Sequence, residues 1–300
     1  MNIVRRLSFS ALAMVILNSC FEPPEYSSVP QIEFNSISFI EVGGFSDPDS
    51  LILRIDFKDG DGDLGLDPND PNHTNEPFHD SYYFLEDGAG GLTPIATEKR
   101  YSDIPAMLKI SGEPGKLASS RTPKKPLYSY IPTFQENGCP HPYVHNGVAD
   151  TLYYMYGEIH ISEEDGYIID DSYQIIDTLR AQDFPDIYVV EDTILFKPNP
   201  RHNNIRVEFL VQNNDGTFSK FNWSDFNCGT TFDGRFPVLE DRTRAVEGTL
   251  QYAMTSVGFL PLFSSRPLKL RVTIWDRALN QSNVIETQQP FTLNDIRKGG

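Results

Sequence analysis

Apolar and polar residues alternate with a period of two, in short bursts, along most of this chain. Ile32-Glu33-Phe34, residues 51–57, Tyr82-Tyr83-Phe84 and residues 152–161, 205–211, 250–254 and 268–275 are β-branched or aromatic runs. Their length and alternation are those of half-buried strands, and turn-forming residues separate them. Asn213-Asn214-Asp215-Gly216 sits between the runs 205–211 and 218–223 and is a strong hairpin signal. No stretch keeps a helical repeat over three turns, and residues 171–182 are the one place where a helix would be unsurprising. Many short strands joined by turns predict an all-β fold built as a β-sandwich.

One pattern occurs twice. Leu51-Ile-Leu53-Arg54-Ile55-Asp-Phe57-Lys-Asp59 matches Leu268-Lys-Leu270-Arg271-Val272-Thr-Ile274-Trp-Asp276 at six positions, each copy ending in an Asp that opens a turn. The second copy runs on through Asn280, Ser282 and Asn283 into a last strand at 284–287. This strand, Asp-x-x-x-Asn-x-Ser turn and terminal strand resemble the closing hairpin of bacterial immunoglobulin-like domains. The resemblance covers about the last thirty residues and implies an immunoglobulin-like sandwich. Two such domains are expected, residues 31–165 and 166–296, with one larger sandwich as the competing architecture.

The amino terminus changes the picture. Residues 1–19 carry Arg5 and Arg6, an apolar run at 11–17, and then Leu17-Asn18-Ser19-Cys20. The run is too short to span a bilayer and has the form of a cleavable export signal. With Leu17, Ser19 and Cys20 it resembles the lipobox of bacterial lipoproteins, although Asn18 departs from the residues usual there. That resemblance implies cleavage before Cys20 and acylation of its new amino terminus. Multiple acyl chains anchor stably, because each buried methylene contributes about 0.8 kcal/mol. Residues 20–30, with three prolines, then read as a lipidated, extended tether.

Charge narrows the partners. The chain carries a net charge of −17, which becomes −19 without Arg5 and Arg6. Such a surface repels phosphates, which argues against nucleic-acid binding. It suits a cation binder or a partner with a basic face. Beyond Cys20 only Cys139 and Cys228 remain, both in turn-like surroundings. An oxidising envelope permits one bridge between them, and two free thiols are the alternative.

The sharpest chemistry lies in Asp59-Gly60-Asp61-Gly62-Asp63-Leu64-Gly65-Leu66-Asp67. Alternate carboxylates on a tight glycine loop can turn toward one centre, and a hard cation such as Ca2+ takes six to eight oxygens. Asp59, Asp61, Asp63 and Asp67 are the candidate ligands of a structural calcium ion. The spacing resembles the first half of an EF-hand loop, but Leu64 stands where that motif has Gly and no closing Glu follows. Taken together, Ser19-Cys20, the acidic loop and Asp276-Arg-Ala-Leu-Asn280-Gln-Ser282-Asn283 resemble outer-membrane lipoproteins of the Bacteroidota. That resemblance implies location and fold style more than activity. It also draws attention to the Asp-Ser/Thr-aliphatic triplets beginning at Asp49, Asp150, Asp177 and Asp192, which are glycosylation signals in that lineage.

Other candidates are weaker. Cys139, His141 and His145 offer zinc ligands, but Pro142 and Asn146-Gly147 break the helix that would align the histidines. His73 and His79 flank the acidic loop. Glu158, Glu163, Glu164 and Asp165 would serve a glycosidase only as a pair across a rigid cleft. The tyrosines at 82–83 and 153–156 fit core packing or a binding platform, and 121–126 is a basic, proline-rich segment suited to a loop. No catalytic set emerges. The expectation is therefore a non-catalytic binding or scaffold module of the cell envelope with an envelope protein partner. A carbohydrate-binding surface lipoprotein of a nutrient-uptake system is the alternative, and a secreted-side hydrolase comes third.

Overall fold

The computed structural model describes residues 25–43, 47–86, 92–97, 115–119, 121–122, 141–144, 151–180, 185–225, 230–239 and 244–298. Within them the chain is all-β, with three antiparallel sheets. The first sheet places β2 (Asp49–Asp59) between β1 (Gln31–Ile40) and β11 (Val246–Ser256). The second orders β10 (Phe218–Lys220), β9 (Ile205–Gln212), β12 (Leu268–Ile274) and β13 (Ile285–Glu286). These two sheets form a sandwich.

Its core follows from period-two alternation. Leu51, Leu53, Ile55 and Phe57 point inward from β2, and Leu268, Leu270, Val272 and Ile274 do so from β12. Arg54 and Arg271 point out, to Gln251 and Glu286 respectively. The repeated sequence is thus one strand of each facing sheet, with Leu and Arg in equivalent roles. A short helix, α2 (Phe259–Phe263), adds two buried phenylalanines. They join Phe209, Phe221, Trp223 and Phe232 in an aromatic cluster with ring centroids such as 4.7 Å (Trp223–Phe232) and 5.9 Å (Phe209–Phe263) apart. Edge-on and stacked pairs at these separations add to the burial of the rings.

The third sheet orders β4 (Leu92–Thr97), β3 (Ser81–Glu86), β8 (Ile187–Pro198), β6 (Thr151–Ile161) and β5 (His141–Val144), and β7 (Ile175–Leu179) also pairs with β8. One face packs Tyr83, Ile159, Ile161, Val190, Ile194 and Phe196, and the other packs Leu152 and Leu195 against Ala118. This sheet interrupts the sandwich in sequence. β1 and β2 come before it, β9 to β13 after it, and β11 returns to pair with β2 from Val246↔Asp59 to Ser256↔Asp49.

Two expectations need correction. A boundary between 165 and 166 would cut the third sheet, because β6 and β8 pair across it from Tyr153↔Phe196 to Ile161↔Tyr188. The units are a sandwich made of both ends of the chain and a sheet inserted between them. Of the span 171–182, the described residues 171–180 hold strand β7, not a helix, paired with β8 at Ile187 to Val190. Pairing to a neighbouring strand outweighs weak local helix propensity.

Candidate functional site

The acidic loop begins where β2 ends. The carboxylate Oδ2 of Asp59 accepts the Asp63 N–H at 3.1 Å, which folds the loop back on itself. Leu64 and Leu66 are buried and pin the loop to the sandwich. Two glycines are sterically required. Gly65 has φ +94° and a Cβ there would lie 2.2 Å from the Pro237 carbonyl oxygen, while a Cβ on Gly60 would lie 2.4 Å from that of Tyr26. Side chains rarely adopt such a φ, and neither backbone approach leaves room for one.

The second wall is the turn after β12. Asp276 accepts hydrogen bonds from Asn280, at 2.6 Å from its N–H and 2.9 Å from its amide Nδ2. Leu64 and Asp276 form an antiparallel bridge. The Arg277 N–H donates to the Asp63 carbonyl at 3.1 Å, and the Ala278 N–H donates to Asp63 Oδ2 at 2.9 Å. The guanidinium of Arg277 is occupied by the carbonyls of Leu64 and Gly65. Two turns, one from each sheet, are therefore zipped together.

Their junction gathers the carboxylates of Asp59, Asp63 and Asp276, with one oxygen of each within 4.8 Å of the others. Asp59 is 0% and Asp276 2% exposed. Oδ1 of Asp59 and Oδ1 of Asp63 are buried and accept no hydrogen bond. Among the described residues, no Lys or Arg pairs with any of the three. Burial, reinforced by the Asp61 charge, pushes Asp59 up to about 6. Burial and then the Asp276 charge push Asp63 up to about 7. Asp276 is also raised, mainly by burial. Buried, crowded carboxylates hold their negative charge only beside a cation.

The sequence candidates divide. Asp59 and Asp63 converge. Asp61 is exposed, outside the group of three, although its charge acts on all of them. Asp67 does not join. Its carboxylate accepts from the Asn69 N–H at 2.8 Å, and its own N–H donates to His73 Nδ1, leading into the short helix α1 (Pro71–Thr74). Asp276 was absent from the expected ligands. The signal for it was the repeat itself, which aligns Asp276 with Asp59.

Among the described residues, the remaining candidates do not assemble elsewhere. His79 is buried against Asn199 and Tyr82, and burial lowers its pKa. Glu158, Glu163 and Glu164 are exposed, whereas Asp165 is buried and accepts from the Ser162 hydroxyl. Tyr153 and Tyr154 pack against opposite faces of the third sheet. Arg121 is built in, paired with Asp192 at 2.8 Å and lying 4.1 Å over the Tyr173 ring. Of the triplets, the one at Asp192 puts Thr193 in the interior, 2% exposed. His141 lies in strand β5, whereas Cys20, Cys139, Cys228 and His145 lie outside the described residues.

Compared with family models, curated proteins and solved structures, the chain matches none. No helix among the described residues is long and apolar enough to cross a membrane. Chemically, the junction offers hard oxygen donors and uncompensated charge. Calcium–oxygen bonds of about 2.3–2.6 Å put two ligands of one ion up to ~5 Å apart. Oxygens within 4.8 Å of one another can therefore share a single calcium ion, with carbonyls and water completing the shell.

Proposed function

We propose that this protein is a non-catalytic binding or scaffold module of the bacterial outer membrane, anchored through a lipid on Cys20. A structural calcium ion holds its two sheets together. The observation that carries the calcium reading is that Asp59 and Asp63, each with a buried, unpartnered carboxylate oxygen, gather beside Asp276 of the opposite sheet. The ion joins two turns that already exchange backbone hydrogen bonds, so its effect is to stiffen the sandwich. The scaffold reading draws on the acidic surface and on the lipobox-like Leu17-Asn18-Ser19-Cys20. The likeness to immunoglobulin-like domains rests on the closing hairpin, seen here as β12 and β13 paired at Arg271↔Glu286.

Mild detergent extraction of the native protein, followed by mass spectrometry of what co-purifies, tests the scaffold reading. A reproducible envelope partner supports it. Recovery of the protein alone, or release into the soluble fraction without an acyl chain, contradicts it.

One observation favours the glycan-binding alternative. A cavity of about 150 Å3 beside Asp276 is lined by Trp275, Asn203, Asn204 and Arg201. Asn204 is committed to the Phe236 backbone and Arg206 lies 5.0 Å over the Trp275 ring, which leaves Trp275, Asn203 and Arg201 to meet a saccharide. Retention on a polysaccharide column that Trp275→Ala abolishes would support this reading, and no retention would remove it.

A further inference from the structure

We infer that the end of the sandwich carrying the acidic loop faces the bilayer. This inference rests on the reading of Cys20 as the lipid anchor. From Tyr26 to Pro30, the described part of the tether expected over residues 20–30 lies against the body. The Gly60 N–H donates to the Ser27 carbonyl at 2.8 Å, and the Tyr26 hydroxyl donates to Glu247 at 2.7 Å. Lys58 Nζ lies 5.7 Å from the centre of the Tyr26 ring, and Pro30 is buried. The close approach of Tyr26 to Gly60 leaves no space for a side chain at 60. Among the described residues, contact with the body begins at Tyr26, six residues after Cys20.

Covalent geometry then limits the distance. Six residues span at most about 22 Å, whatever their conformation. Gln31 pairs with Lys58 and Val246 with Asp59, so the docked segment and the acidic loop share one end of the sandwich. The opposite end holds Ile40, Asp49 and Ser256. β2 has 11 residues, and at about 3.3 Å per residue the two ends are ~35 Å apart. The chain also leaves for the inserted sheet after Leu66 and returns before Ile205, which pairs with Ile274 next to Asp276. The root of that sheet is held close to the bilayer with the loop. Net acidity keeps the body off anionic head groups, so the covalent reach from Cys20 to Tyr26 sets the upper limit of the standoff. The far end, with Val257 57% exposed, points outward.

The test places a dye on an encoded azide side chain at exposed Asp61 or exposed Val257, in full-length protein purified from membranes. Each is reconstituted into phosphatidylcholine vesicles containing acceptor-labelled lipid, and mass spectrometry confirms the acyl chain. Energy transfer from position 61 should exceed that from 257 by about twofold or more, given the ~22 Å limit on the tether. Inserting about 20 Gly/Ser residues between Glu25 and Tyr26 should lower transfer at 61, since such a linker adds ~25 Å of mean reach. An acylated protein with equal transfer at both positions, or more at 257, overturns the orientation alone. A purified protein without an acyl chain removes the anchor reading, and the orientation with it.

Discussion

Replacing Asp276 with Asn probes the junction from the sheet that lacks the acidic motif. The change is isosteric and keeps one oxygen to accept the Asn280 N–H now bonded at 2.6 Å. It removes one of three crowded charges and one metal ligand. Calcium that binds only the folded state stabilises it by RT ln(1 + [Ca]/Kd). For a site in the about 10⁻⁴–10⁻³ M range of extracellular modules, ~10 mM calcium contributes roughly 1.4–2.7 kcal/mol. At about 2–4 °C per kcal/mol for a chain of this size, wild type should melt ~3–10 °C higher in calcium than in chelator. Asp276→Asn should lose most of that shift. In chelator at pH 8 the order should reverse or vanish, because the variant no longer crowds Asp63. Differential scanning calorimetry of both proteins, with calcium and with chelator, decides the matter. Equal destabilisation of the variant in both buffers, or a wild-type melting point indifferent to calcium, would refute the reasoning.

Further outcomes follow from the same geometry. Asp59 and Asp63 are held up to about 6 and about 7 in the metal-free fold, against an ordinary value of 3.8. Between these values the folded state binds more protons than the unfolded chain, so stability falls as pH rises through them. Metal-free protein should therefore melt higher at pH 5 than at pH 8, and calcium should flatten that difference; a melting point that rises with pH in chelator would contradict it. Gly65→Ala, at φ +94° and against Pro237, should destabilise the loop and weaken calcium binding, as read by a titration, with an unchanged isotherm counting against the packing described. Leu53→Ala empties a fully buried site facing β12 and should cost about 2–5 kcal/mol in urea unfolding; a loss under ~1 kcal/mol would mean the two sheets do not pack there. If Cys139 and Cys228 are bridged, the oxidised protein resists alkylation and shifts on non-reducing gels, whereas modification of both thiols in the native state rules the bridge out.

The sandwich was legible because its strands bury one face only. In β2, inward Leu51, Leu53 and Ile55 alternate with half-buried Arg54 and Asp56, and the same rhythm marks β12. The central strand of the third sheet was not legible. From Asp192 to Phe196 β8 is continuously buried, because both faces of the sheet are covered, and Glu191-Asp192 breaks its apolar run. Alternation carries no signal for such a strand. The insertion was hidden for a different reason. Pairing of β2 with β11 is a long-range event, and nothing local in 49–59 names 246–256 as its partner. At the site, Asp59 and Asp63 could be read from the loop. Asp61 and Asp67 share the spacing, but Gly62, at φ +73°, and the turn at Asn69 send them elsewhere. Asp276 was written in the repeat, and two strands of equal design in facing sheets finish at the same junction.

Equilibrium dialysis of the purified protein against radiolabelled calcium, at neutral pH and about millimolar free ion, tests the cation junction most directly. The account predicts one ion per chain in wild type, lost on Asp59→Asn and on Asp276→Asn alike. No calcium retained by the folded wild-type protein, or undiminished binding by Asp276→Asn, would contradict it.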